Sequence, residues 1–222
     1  MAESFIGFYE LDAAPSRGLT GELATRLGTA TDAPGFIDGS LYVRSDTGSV
    51  AIVIQYDGGE EWVHEGTPGT LLYAVDWRSR SADGHRYRHA GEVAGDGSSL
   101  SDSSFYVVQR FETRSERQAP LVEALLSYTE RFARPIHGFL RGDCYASLDG
   151  TRVVFIMPWA HEAALNALES TAGSLDAMQV HLRLAERHTY ESFQRVSYLT
   201  AAAEEDDASP ARSAAATRRT PV

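Results

Sequence analysis

"PGFIDGSLYVRSDTGSVAIVIQY", residues 34–56, returns in altered form as "HGFLRGDCYASLDGTRVVFIMPW", residues 137–159. Each stretch is an apolar run, a short polar turn containing Asp and Gly, and a second apolar run. Asp-Gly or Asp-x-Gly between β-branched runs predicts a β-hairpin, because glycine accepts the positive φ that a tight turn demands. The hairpin occurs twice, so the chain reads first of all as a duplication.

Phe36 and Phe139 lie 103 positions apart, and the same offset relates Gly35 to Gly138, Gly39 to Gly142, Tyr42 to Tyr145, Asp46 to Asp149 and Val50 to Val153. Carried outward, it brings Phe8 onto Phe111, Leu23 onto Leu126, Arg80 onto Arg183, His85 onto His188, Tyr87 onto Tyr190 and Val93 onto Val196. One constant register across both copies is therefore expected.

On the N-terminal side of each hairpin, "FIGFYEL" and "FYVVQRFE" read as first strands. A helix follows each, from the three-and-four spacing of Leu19, Leu23 and Leu27, and of Val122, Leu125, Leu126, Thr129 and Phe132. Beyond the hairpin the copies diverge. "HEAALNALEST" is a clear helix, whereas "GGEEWVHEGTPG" is broken by Pro68 and Gly69. "TLLYAVDW" and "AMQVHLRL" are ambiguous between helix and strand, and "HRYRHAGEV" and "HTYESFQRV" read as last strands. The order is β-α-β-β-α-β twice, a ferredoxin-like α+β arrangement. Helices cover one face of each antiparallel sheet, and the other copy can cover the second face, which closes two sheets into a barrel within one chain. The expected division is residues 1–94, a Gly/Ser linker over 95–104, residues 105–200, and a disordered tail over 201–222, which lacks large apolar residues except the terminal valine.

The formal charge of −11 and pI near 5.0 repel phosphate backbones and anionic bilayers, which argues against nucleic acid and membrane surfaces as partners. Neither a signal-peptide pattern nor an apolar run long enough to span a bilayer is visible, so a cytoplasmic location is expected. Cys144 is the single cysteine and every basic residue is arginine, which excludes an internal disulfide, a cysteine metal cluster and lysine Schiff-base chemistry. No Gly-rich phosphate loop, metal-binding His pair on a helix or serine-hydrolase elbow appears.

The chemistry-bearing residues concentrate after the first hairpin: Trp62, His64, Tyr73, Asp76, Trp77, His85, Tyr87 and His89. His85 and His89 share one strand face by their even spacing, but a third ligand is missing and no metal site is assigned. The plain alternative is that strand aromatics are core. His188 and Tyr190, as repeats of His85 and Tyr87, fit a shared structural hydrogen bond as well as a shared site.

The Gly-Phe at strand two, the Asp-Gly turn and a Trp opening the second helix are best kept at Gly138, Phe139, Asp149, Gly150 and Trp159, with Tyr56 in place of that Trp in the first copy. In this pattern the chain resembles the antibiotic biosynthesis monooxygenase superfamily of dimeric α+β barrels. Within it, the tandem arrangement resembles the ring-opening oxygenases of angucycline pathways and their relatives, the anthrone oxygenases. The resemblance implies an oxygenase of an aromatic polyketide, with O2 as co-substrate and either reduced flavin (FADH2 or FMNH2) from a separate reductase or no cofactor at all. Further pairing into a homodimer stays open.

Such chemistry needs a base for a phenol and an aromatic-lined cavity. His64 or His85 is the candidate base, Asp76 orients an imidazole, and Arg86 or Arg88 stabilises an oxyanion. Trp62, Tyr73, Trp77, Tyr87, His89, Trp159 and His188 are candidate substrate contacts. A polyketide cyclase and a non-catalytic ligand-binding barrel are the competing readings.

Overall fold

Strict alternation along the strands sends successive side chains to opposite faces of each sheet, and here both faces are buried. Along Phe5–Phe8, for example, Phe5 packs under a helix while Ile6 and Phe8 point into a barrel. A computed structural model describes residues 2–11, 17–29, 31, 35–44, 48–57, 79–95 and 105–200. In the first copy these form β1 (Glu3–Leu11), α1 (Arg17–Thr29), β2 (Phe36–Val43), β3 (Ser49–Tyr56) and β4 (Ser79–Ala94). The second copy has β5 (Phe105–Glu112), α2 (Ser115–Tyr128) with a π-helical turn over Thr129–Ala133, β6 (Arg141–Ser147), β7 (Arg152–Trp159), α3 (Glu162–Glu169), α4 (Ser174–Leu182) and β8 (Arg187–Thr200). The ambiguous "AMQVHLRL" thus falls largely in helix α4.

The eight strands close in the order β1-β3-β2-β8-β5-β7-β6-β4. Every neighbouring pair is antiparallel, so β1 and β5 run the same way and the pseudo-twofold axis lies along the barrel. The last strand of each copy is long because it serves two sheets. β4 pairs with β1 through Ser79–Arg88 and with β6 through Tyr87–Ala94, while β8 pairs with β5 through Arg187–Gln194 and with β2 through Gln194–Thr200. The hairpin turns hold the expected left-handed glycines, Gly48 and Gly150, both at φ +79°.

Three apolar clusters follow. One lies between α1 and the first sheet (Leu23, Leu27, Phe5, Ile52, Ile54, Tyr56), and one between the second sheet and α2–α4 (Leu121, Leu125, Phe139, Phe155, Leu165). The third fills the middle of the barrel, with Ile6, Phe8, Tyr87, Val108, Val154 and Phe193. Trp159 is fully buried beneath the start of α3, edge-on to Phe139 at 5.1 Å. Next to it His161 caps α3, its Nδ1 accepting the Ala164 N–H at 3.2 Å.

The constant register of 103 holds only in the hairpins. Ile6 pairs with Val53, and Val108 pairs with Ile156, so the first strands correspond at an offset of 102. Ser4 pairs with Tyr87, and Tyr106 pairs with Phe193, so the last strands correspond at 106. An odd slip turns a side chain to the other face. Phe8 accordingly lies inside the barrel while Phe111 lies under the helices. The counterpart of Tyr87 is Phe193, that of His85 is Glu191 rather than His188, and that of His89 is Arg195.

Trp62, His64, Tyr73, Asp76 and Trp77, the helix break at Pro68, the linker beyond Gly95 and the tail from 201 lie outside the described residues. Among the described residues, no helix is long and apolar enough to cross a membrane.

Candidate functional site

The barrel is hollow at both ends and plugged between. At the end where β1 and β5 finish, a cavity of about 420 Å³ is lined by Glu10, Asp83, Arg110, Glu112, Arg152 and Arg187, with Tyr87 below. Its arginines are all neutralised: Arg152 by Asp83 at 3.5 Å and Glu112 at 3.2 Å, Arg110 by Glu191 at 2.8 Å, and Arg187 by Glu112 at 3.4 Å. His85 belongs to this network, with Asp83 at 2.8 Å, Asp149 at 3.5 Å and the Arg152 Nε donating to it at 2.7 Å. Among the described residues this mouth is an ionic lattice in which every lining arginine already has a carboxylate partner.

The cavity at the opposite end, where β1 and β5 begin, measures about 590 Å³. Its deep wall carries Tyr42, Tyr106 and Tyr145, with Tyr42 edge-on to Tyr106 at 5.0 Å and Gln55 Nε2 donating to the Tyr145 hydroxyl at 3.4 Å. Burial pushes the Tyr42 and Tyr145 hydroxyls far above the usual phenol range, so both remain donors at neutral pH.

Two polar groups face each other across this cavity. On the β4–β6 side, His89 Nε2 lies 3.7 Å from Asp143 Oδ1, and Arg141 Nε donates to Asp143 Oδ2 at 2.6 Å. Asp143 is only 5% exposed, and its carboxylate beside the imidazole raises the His89 pKa above the ordinary value, against the opposing effect of burial. On the β8 side, the Arg195 guanidinium sits over the rings of Tyr198 at 4.9 Å and Tyr106 at 5.4 Å. No carboxylate pairs with Arg195 among the described residues. β4 and β8 stand four strands apart in a ring of eight, on opposite walls.

A β-bulge follows each of these two residues. The ladder skips a residue between His89 and Gly91 opposite Tyr145 and Cys144, and again after Arg195 opposite Tyr42 and Leu41. In β4 the bulge lets His89 and Glu92 line the same cavity at an odd spacing. It requires glycine at 91, where φ is +154° and a Cβ would approach Leu126 Cδ1 to 2.7 Å.

The predicted residues are therefore dispersed. His85 stands at the charged mouth, Tyr87 is 2% exposed in the plug, and His89 lines the larger cavity. Arg86 points out of the barrel to the α1 side, where its guanidinium donates to Glu3 Oε2 at 2.5 and 3.1 Å. It cannot stabilise an oxyanion beside His85, because adjacent strand residues face opposite ways. Trp159 and His188 lie under the second copy's helices. His188 stacks on Phe111 at 4.5 Å, near a second histidine, His181, which is 1% exposed. Neither ring nitrogen of His181 has a hydrogen-bond partner among the described residues, and burial, helped by His188, pushes its pKa down to about 4. Asp143, Arg195, Tyr42, Tyr106 and Tyr145 were not singled out from sequence. The repeat pair Tyr42/Tyr145 was the one visible signal for them.

Residues 104–180 match the family model described as antibiotic biosynthesis monooxygenase. The match covers most of the second copy, which is similar to that family in sequence. Among solved structures, an anthrone oxidase-like protein superposes with a TM-score of 0.72 at 16% identity, covering 90% of this chain and 93% of that one. A major regulator of staphylococcal pathogenesis gives 0.56 at 13% identity, covering 88% and 99%. The heme-degrading enzyme of Listeria monocytogenes gives 0.50 at 10% identity, covering 86% and 98%. No curated protein matches the sequence. At such identities the likeness defines the fold, which hosts an enzyme and a regulator alike.

Proposed function

We propose that the larger barrel cavity binds a planar phenolic aromatic of the anthrone or angucycline-hydroquinone type and that O2 oxidises the anion formed there. The observation that carries this reading is the tyrosine-walled cavity of about 590 Å³ with accessible His89 against the buried Asp143 carboxylate on its side, a volume within the usual range for drug-sized ligands. Similarity to an anthrone oxidase-like protein supports the same chemistry.

His89 is the base. Asp143 stands at Nε2, which leaves Nδ1 to accept the substrate proton while the carboxylate stabilises the imidazolium. The protonated hydroxyls of Tyr42 and Tyr145 donate to the developing oxyanion. The electron-rich anion then reduces O2. For an activated methylene the balance is CH2 plus O2 giving C=O plus H2O, with no other reductant.

A resident flavin would need cationic groups for its phosphate. The described lining offers Asp38, Glu92 and Asp143 against Arg141 and Arg195, and Arg141 is already bonded to Asp143. These residues do not fit such a group, so no step is assigned to one.

Oxygen consumption with anthrone, followed together with product mass, tests the reading with and without a flavin reductase, NAD(P)H and flavin. Enzyme-dependent quinone formation without flavin is expected. Product only with the reductase would replace the cofactor-free route by a flavin-dependent one. No oxygenated product in either system would turn the assignment to a cyclase or a binding barrel.

A further inference from the structure

The two polar groups in the larger cavity occupy the same position of the duplicated fold. His89 and Arg195 are counterparts at the last-strand offset of 106, each facing the repeat tyrosine across the ladder and each followed by a bulge. Their surroundings have diverged in concert. Where the β4–β6 side of the cavity has His89, Glu92, Asp143 and Arg141, the equivalent positions on the β8–β2 side are Arg195, Tyr198, Ser40 and Asp38. One wall is an acid–base group around a buried carboxylate. The other is a cation held between two tyrosine faces.

Arg195, which has no carboxylate partner among the described residues, is a charge inside a partly enclosed cavity that a ligand can neutralise, and its planar donor fork matches a carboxylate bidentately. The lining carboxylates do not fill that role: Asp143 is engaged by Arg141 and His89, and Asp38 feels Arg141. An eight-stranded barrel is only wide enough for one small ligand, so a single planar molecule touches both walls at once.

Resting on the proposed oxidation, we infer that the substrate is an asymmetric planar aromatic acid, whose carboxylate is held by Arg195 on the β8 wall while the carbon to be oxidised faces His89 on the β4 wall. Arg195 is then a positioning residue that decides which end of the molecule is oxidised. A homodimeric barrel with two identical walls has no such means of choice.

The probes are anthraquinone-2-carboxylate and its neutral counterpart anthraquinone-2-carboxamide, titrated into the full chain by calorimetry at low and high salt. The native chain should bind the carboxylate about tenfold more tightly than the amide, and salt should weaken only the carboxylate. Arg195→Gln should abolish the difference while amide affinity stays within about twofold, which also reports that the variant is folded. Arg195→Lys should keep part of the preference. Equal affinity of the native chain for both probes, or equal weakening of both by Arg195→Gln, would overturn the inference. If anthrone is still oxidised in a His89-dependent way, only the inference falls. If the native chain binds neither probe and His89→Gln leaves oxygen consumption unchanged, the cavity assignment fails with it.

Discussion

His89 and Arg195 hold equivalent places in two copies of one fold, and the contrast between them is sharper than any other across the pseudo-twofold axis. The backbone has been conserved between the walls down to the bulge and the facing tyrosine, Tyr145 on one side and Tyr42 on the other. The charge has not. Duplication with fusion frees each wall to change alone, whereas in a homodimer one substitution alters both. A pair of barrel halves thus becomes a cavity with two distinguishable ends.

The largest effect is expected from His89→Gln, which should lower anthrone-dependent oxygen consumption about 100-fold, while Arg195→Gln lowers it less than tenfold with neutral anthrone. Comparable losses from both would erase the distinction between a base and a positioning group.

Next comes the second copy's own histidine layer. His181 is held neutral, its folded pKa of about 4 lying below the unfolded value of 6.5. The unfolded chain therefore binds more protons between those values, and stability present above pH 6.5 is lost as pH falls toward 4. Denaturant titrations should show a decline on the order of 2 to 3 kcal/mol from this residue. An unchanged pH slope in His181→Phe would show that the layer is not responsible.

Asp143→Asn should reduce turnover about tenfold and also move its pH profile. Asp143 raises the His89 pKa, so the rate limb that rises with deprotonation of His89 lies above pH 6.5 in the native chain and shifts down in the variant. A limb that stays in place would remove His89 as the titrating base.

The smallest effect is expected at the rim. Glu92→Gln and its counterpart Tyr198→Phe should each change turnover by no more than about threefold, measured with the same assay.

The duplication and both hairpins were legible because turn chemistry is local: Asp149 and Gly150 announce a turn whatever surrounds them. The shared face of His85 and His89 was legible too, since strand alternation is a property of spacing. The cavity was not. Its lining comes from seven strands, and the decisive pairing of His89 with Arg195 is hidden by one extra residue before the second hairpin and three more before β8. A constant offset instead aligned His85 with His188, which the structure separates into the barrel mouth and the helix layer. Likewise Arg86 and His85 are neighbours in sequence but face opposite ways, a distinction that depends on which face closes the barrel.

The long last strands carry a further consequence. Because β4 is shared between the first sheet and β6, and β8 between the second sheet and β2, the walls holding His89 and Arg195 are bound together by continuous ladders. Two separate chains carrying these two halves would have to find each other, and like would also pair with like, yielding barrels with two histidine walls or two arginine walls. A covalent link sets the effective concentration of the correct partner at roughly millimolar however dilute the protein becomes. Every molecule is then obliged to assemble the unequal pair, and specific activity should be independent of protein concentration.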